Sequence, residues 1–203
     1  MAADSDRVPR RRLDVDERRQ AILDAARASF AATAYADVSM AQVARAAESS
    51  PALIHHYFGT KAELYAAVVQ SAVDDLVRAQ REAEAALPPG VPVRERVRAT
   101  VTAYLDHIAG HPTAWAVPLT GGQEPAEAVQ VRRAAREGYV AALGELLGTR
   151  GWPRHDFALW GWFGFLDHAC LRWVELGCPD DRRHALIDAA LGALEGALGD
   201  WAV

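Results

Sequence analysis

Ser50, Pro51, His55, His56, Tyr57, Thr60 and Lys61 stand close together in the chain. Hydroxyls, imidazoles, a phenol and an ammonium are the donors that phosphate oxygens and base edges accept from. The adjacent histidines also raise a metal site. Neighbours on a helix point about 100° apart, and no further ligand stands at metal spacing, so no metal is expected. Asp106-His107 and Asp167-His168 raise acid–base chemistry, and with it a helical-bundle enzyme. Those side chains diverge for the same reason, and the chain shows no nucleophile motif or Gly-rich phosphate loop. A catalytic role and a cofactor are therefore not expected. Cys170 and Cys178 would lie about 12 Å apart on a continuing helix, beyond disulfide reach.

These residues sit in a chain of 203 amino acids, enough to bury a sizeable core in one domain or two small ones. With 51% hydrophobic and 24% charged residues, the composition is that of a globular protein rather than a disordered one. The formal net charge of -5 argues at first against nucleic acid, but its distribution does not. Residues 1–65 are neutral, and the acidic excess lies wholly in residues 66–203. Six arginines and three acids between Arg7 and Arg19 make one end locally basic, as a small nucleic-acid-binding head on an acidic body requires. No apolar run is long enough to span a bilayer, and the polar, Arg-rich start lacks the apolar core of a signal peptide. No membrane contact and a cytoplasmic location are expected.

Helix formers dominate throughout, and no strand pair stands out, so the fold class is all-α. Residues 1–13 are expected to be a flexible basic arm, either a solvated tail or a segment that grazes DNA. Asp14 and Glu17 have capping-box spacing before a helix over about 15–34. Ser39 opens a short helix with Met40, Val43, Ala44 and Ala47 on its inner face. Ser50 caps a third with Pro51 at its first position, closed by Gly59. Thr60 and Glu63 box a fourth, running to about Ala86. The breaker Leu87-Pro-Pro-Gly-Val-Pro92 is the best linker candidate. Further helices are expected over about 92–109, around Trp115, and over about 125–147, 153–176 and 181–198.

Two short helices joined by a tight break inside a three-helix head are the helix-turn-helix pattern. Small apolar residues are needed where those helices touch, and Val43, Ala44, Ala47 and Ile54 supply them. Three stretches carry a closer likeness: Arg19-Gln-Ala-Ile-Leu-Asp-Ala-Ala26 with Phe30; Ser39-Met-Ala-Gln-Val-Ala-Arg-Ala-Ala47; and Ser50-Pro-Ala-Leu-Ile-His-His-Tyr-Phe-Gly-Thr-Lys-Ala-Glu-Leu64. Through them, and above all through Tyr57-Phe58-x-x-Lys61, the first 65–70 residues resemble the tetracycline-repressor (TetR) family of bacterial transcriptional regulators. The resemblance implies an N-terminal helix-turn-helix DNA-binding domain over 14–65 and a ligand-binding and dimerisation domain over 66–203. It implies phosphate contacts from Ser39, Ser50, His55, Tyr57, Thr60 and Lys61, and groove or base-edge contacts from Gln42, Pro51, Ala52 and His56. Phe58 is expected in the core and Tyr57 at the DNA-facing edge. Three positions depart from the family. His55 replaces Tyr, Leu53 replaces a small hydroxyl residue, and Glu48 replaces the turn Gly. Glu48 must either take left-handed geometry or belong to a differently arranged turn.

In the body, the 153–176 segment leaves almost no polar face, so it must be covered on more than one side. The stripe Leu186, Ala189, Ala190, Ala193, Leu194 and Ala197 permits close helix approach. Together with Leu166 and Trp173, these residues are expected at a homodimer seam, with ordinary intrachain packing as the alternative. Candidate pocket walls are Tyr104, Trp115, Tyr139, Trp162, Phe165 and Trp173, and candidate anchors are His107, Arg136, His168 and Arg172. Arg172 interrupts an apolar helix, and its partner is Glu175, an acid across the seam, or an anionic ligand. The whole reads as a homodimeric repressor released from a near-palindromic operator by a small, mostly apolar ligand. A helical ligand-binding protein with a defective DNA-binding head is the alternative.

Overall fold

A computed structural model describes residues 14–121, 123–149 and 151–199. The expected arm, residues 1–13, lies outside the described residues. Nine α-helices follow in chain order among the described residues: α1 Val15–Ala32, α2 Met40–Ala46, α3 Pro51–Phe58, α4 Lys61–Ala85, α5 Val93–Gly110, α6 Pro112–Ala116, α7 Ala126–Leu147, α8 Pro153–Glu175 and α9 Arg183–Leu198. Short 3-10 turns occupy Tyr35–Asp37, Val117–Thr120 and Asp180–Arg182. No strand occurs among the described residues, and none of their helices is long and apolar enough to cross a membrane.

Local chemistry places the helix starts of the head. The Asp14 carboxylate accepts from the Asp16 and Glu17 amides at 2.6 and 3.3 Å, and the Glu17 carboxylate accepts in return from the Asp14 amide. Ser39 with Gln42, and Thr60 with Glu63, close the same reciprocal box on α2 and α4. Each box satisfies orphan amides that the first turn would otherwise leave to water.

Two separate apolar clusters result. In the head, Ile22, Leu23 and Ala26 of α1 meet Val43 and Ala44 of α2, Ile54 and Phe58 of α3, and Leu64 and Val68 of α4. In the body, Val97, Leu105 and Ile108 of α5 meet Leu143 of α7, Leu159, Trp162, Leu166 and Trp173 of α8, and Ile187, Leu191 and Leu194 of α9. Helix α4 belongs to both halves: it starts under the head and runs unbroken along α5 and α7. The Leu87–Pro92 breaker is thus a turn between two body helices, not a linker between head and body.

The packing corrects part of the expected seam. Leu166, Trp173, Ala190 and Leu194 are buried inside the single chain. The Trp162 indole donates to the Ala190 carbonyl at 2.7 Å, and the Trp173 indole to the Pro179 carbonyl at 2.9 Å. Helices α8 and α9 pack on each other, which takes these four side chains out of reach of a second chain. Leu186 and Ala193 are half-buried against that same core. Ala189 stands exposed on α9 and Ala197 is half-buried near its end.

Candidate nucleic-acid interface and effector cavity

The helix-turn-helix is closed by Glu48, whose φ of 47° puts a non-glycine residue in the left-handed region. That geometry costs roughly 1–2 kcal/mol for an L-residue. The Ser49 amide nevertheless reaches back to the Ala44 carbonyl at 2.8 Å, so the turn keeps its hydrogen bonds without the glycine. Beyond it, α3 buries Ile54 and Phe58 and leaves Pro51, Ala52, His55 and His56 exposed on the opposite side. Tyr57 is half-buried, its ring edge-on to His56 at 5.5 Å.

Three exposed hydroxyls stand at three helix starts. Ser39, Ser50 and Thr60 each accept a capping bond from the amide three residues on, at 3.2 Å in each case. A hydroxyl whose oxygen accepts still has its hydrogen to donate, and the helix N-terminus behind it carries partial positive charge. That combination suits a phosphate oxygen. Gln42 accepts the Ser39 amide through its carbonyl oxygen at 2.6 Å, which leaves its NH₂ pointing outward as a donor. The imidazole of His55 is tethered through Nδ1 to the Gly59 carbonyl at 2.6 Å. That bond does not engage its Nε2.

Lys61 is placed differently from the expectation. Its ammonium donates to the carbonyls of Tyr35, Ala36 and Val38 at 2.9, 3.2 and 2.9 Å, and lies 4.4 Å from the Tyr35 ring centre. An ammonium has three donors, and all three are taken. Lys61 therefore acts as a clasp on the turn leading into α2. The partners lie more than twenty positions away, and no local pattern announced them.

A cavity of about 710 Å³ opens between α4, α5, α7 and α8. Tyr104, Arg136, Tyr139 and Trp162 of the expected pocket residues line it, as does Leu166, which was expected at the seam. Sequence reasoning raised Asp167 only as a neighbour of His168 and did not place it beside Arg136. It is buried, accepts from the Tyr104 hydroxyl at 3.1 Å and pairs with the Arg136 guanidinium. Burial pushes the Asp167 carboxyl above its ordinary value, while Arg136 and the Tyr104 hydroxyl act to hold it down. Burial, reinforced by Asp167, also drives the Tyr104 phenol well upward. Trp115 does not line the cavity but supports it, its indole donating to the Tyr104 oxygen at 3.0 Å. The Tyr139 hydroxyl is buried without a partner.

Three expected pocket residues lie elsewhere, because the outer face of α8 turns away from the cavity. Phe165 and His168 are exposed, and Arg172 has a 68% exposed side chain paired with Glu175 at 3.0 Å. Arg172 thus takes the ordinary partner, one turn along its own helix. His107 is half-buried away from the cavity, and burial lowers its pKa, aided by His111 and Arg27 and opposed by Asp75. The outer face of α8 carries Phe157, 76% exposed, with Trp160 and Phe165. On α9, Ala189, Gly192 and Gly196 are exposed as well.

Head and body meet through two polar clasps. Arg27 of α1 donates to Ser71 at 2.6 Å and to Asp75 at 3.0 Å, both on α4. Glu124, with a side chain only 6% exposed, accepts from Tyr65 of α4 at 2.8 Å and from Arg132 of α7 at 3.0 Å. Burial and Glu124 push the Tyr65 phenol up to about 12. Tyr65 also meets Phe30 and Tyr35 at about 5 Å, beneath the Lys61 clasp.

A helix-turn-helix head with three capped, hydroxyl-tipped helix starts, set on an all-helical body with an internal cavity, defines a class of DNA-binding architecture. Residues 22–68 match the family described as bacterial regulatory proteins, tetR family. The match covers the helix-turn-helix head and the start of α4. It is 39% identical over 97 residues to the HTH-type transcriptional activator FasR of Mycolicibacterium smegmatis, which is 48% of this chain and 43% of that protein. The chain therefore spans less than half the length of that relative. Among solved structures it is similar to a TetR-like transcriptional regulator from Rhodococcus sp. RHA1, at 25% identity and TM-score 0.70 over 93% of this chain and all of that one. It also shares the fold of the transcriptional regulator FadR from Bacillus subtilis, solved in complex with stearoyl-CoA, at 18% identity and TM-score 0.66 over 89% and 97% of the two chains.

Proposed function

We propose that the chain is a ligand-responsive, DNA-binding transcriptional regulator and not an enzyme. It acts as a homodimeric repressor in the cytoplasm, released from a near-palindromic operator by a small, mostly apolar molecule. Residues 14–65 serve as the DNA-binding unit and residues 66–203 as the effector and dimer unit. The observation that carries the reading is the outer face of α3. Its small or flat residues Pro51, Ala52, His55 and His56 are exposed, while Ile54 and Phe58 hold the helix down from behind. An α-helix so presented fits the major groove, with Ser39, Ser50 and Thr60 on flanking phosphates.

A two-fold pair of heads would follow from joining the exposed α8 and α9 faces of two copies. Phe157, Trp160 and Phe165 would supply the buried aromatic anchors of such a seam, and Ala189, Gly192 and Gly196 its close approach. Effector binding between α4 and α7 would reach the head through the Glu124 and Arg27 clasps, which tie those helices to Tyr65 and α1. The effector need only favour the head spacing that does not fit DNA.

The test is selection from random duplex DNA at physiological salt with excess non-specific competitor. An enriched, two-fold-symmetric site is the expected result. A folded protein that enriches no sequence, with or without added ligands, would overturn the reading in favour of a ligand-binding protein with a defective head.

A further inference from the structure

Arg81, Arg96 and Arg136 line the cavity with Glu84 and Glu145, and Asp167, paired with Arg136, brings the charges into balance. At the cavity floor the Arg136 guanidinium is paired with Asp167 and lies 4.8 Å from the Phe163 ring centre. Its side chain remains 27% exposed, and a guanidinium has five donors, so N–H groups are left for an occupant. Towards the other end, Arg96 pairs with Glu84, and Arg81 and Glu145 add one charge of each sign. Val73, Leu76, Val77 and Leu143 fill the stretch between. From Val73 to Glu84 the lining runs along about 16 Å of α4.

A carboxylate entering this floor would find its natural partner already taken and Asp167 beside it as a like charge. An ammonium would meet Arg136 in the same way. Either would bury a net charge in an apolar surrounding, which is strongly disfavoured. A carbonyl or ester oxygen could accept from Arg136 without disturbing the pair.

We propose that the cavity selects an uncharged, elongated, mostly apolar molecule with a carbonyl-type acceptor, and rejects its carboxylate and ammonium analogues. The proposal rests on the reading of this cavity as the effector site. Asp167 is then the specificity-determining residue, because it cancels the one charge that would otherwise recruit an anion to the floor. The Arg96–Glu84 end, matched in charge as well, adds no pull on an anionic headgroup.

The test titrates the full chain with methyl decanoate, decanoate, decylamine and decanoyl-CoA by calorimetry. Methyl decanoate is expected to bind at least about tenfold more tightly than each ion. In Asp167→Asn the freed Arg136 should raise decanoate affinity about tenfold or more, with little change for the ester. The proposal is overturned if decanoate, decylamine or decanoyl-CoA binds the wild type as tightly as the ester, or if no probe binds. Should Asp167→Asn fail to fold, the wild-type ranking alone decides. A parallel operator-release assay separates the two ideas. Ester binding that leaves DNA bound removes the regulatory reading and keeps this one, whereas operator binding by a protein that takes up no ester does the reverse.

Discussion

The head and the body solve different problems with the same secondary structure. The head is built from helices whose starts are specified one by one, by Asp14, Ser39, Ser50 and Thr60. Its outward polar groups serve the local turn first and keep a donor over for a partner. The body is built from helices whose starts are mostly uncapped by side chains: Pro92, Pro125 and Trp152 precede α5, α7 and α8 without a side-chain capping bond. Its polar groups, Arg136, Asp167, Tyr104 and Trp115, are satisfied by residues on other helices. A surface that must meet a rigid, regular partner is well served by local specification. A cavity enclosed by four helices can only be specified between them.

That contrast can be broken most forcefully at Ile54, fully buried in the head cluster. Ile54→Ala should cost about 2–5 kcal/mol through lost burial and a cavity. Hydrogen exchange should show lost protection in α1 to α3 while α5, α8 and α9 keep theirs. Equal loss in both halves would show that α4 welds them into one cooperative unit.

Lys61→Gln tests the clasp. Losing charge-assisted bonds to three carbonyls should destabilise the head by about 1–3 kcal/mol. Operator affinity should fall for all sequences while the slope of log affinity against log salt stays unchanged. A slope shallower by about one would return Lys61 to the phosphate contacts.

The body offers the opposite sign. Tyr139→Phe removes a buried hydroxyl that has no partner, and should raise the denaturation free energy by about 1 kcal/mol. A lower denaturant midpoint would mean that the hydroxyl is already satisfied in solution.

The smallest effect is expected at the junction. The folded pKa of His107 is depressed below 6.5 by burial first, so the unfolded chain takes up the proton before the folded one does. Its contribution to stability is complete above that value and is lost as pH falls below it. His107→Gln should flatten that part of the stability profile, measured by denaturant melts between pH 7 and 5. An unchanged slope would assign the acid sensitivity to other groups.

Much of the head was legible in the residues themselves. Capping boxes, Pro51 and Gly59 act within four positions of chain, and the apolar spacing of Val43, Ala44, Ile54 and Phe58 selects one buried face. Glu48 shows the limit of such reading. Its type left two turn geometries open, and only the backbone shows the left-handed one. In the body, element positions followed from Pro and Gly breakers, but the roles of individual side chains did not. Trp173 and Leu194 looked like seam residues and are core, while Phe165 and His168 looked like pocket residues and face outward. An apolar helix announces that it is covered, not by what, because periodicity defines faces and leaves their azimuth around the bundle free.

The amino-acid order by itself thus determined the helices, their ends, the inner face of the helix-turn-helix and the resemblance carried by Tyr57, Phe58 and Lys61. Each of these depends on interactions within a turn or two of chain. Only the tertiary structure decided that Lys61 clasps Tyr35, Ala36 and Val38, that Glu124 joins Tyr65 to Arg132, and that Asp167 neutralises Arg136 at the cavity floor. Those contacts join residues from 8 to 59 positions apart. Side chains so placed meet only after α4, α7 and α8 have packed, and it is that packing which chooses their partners.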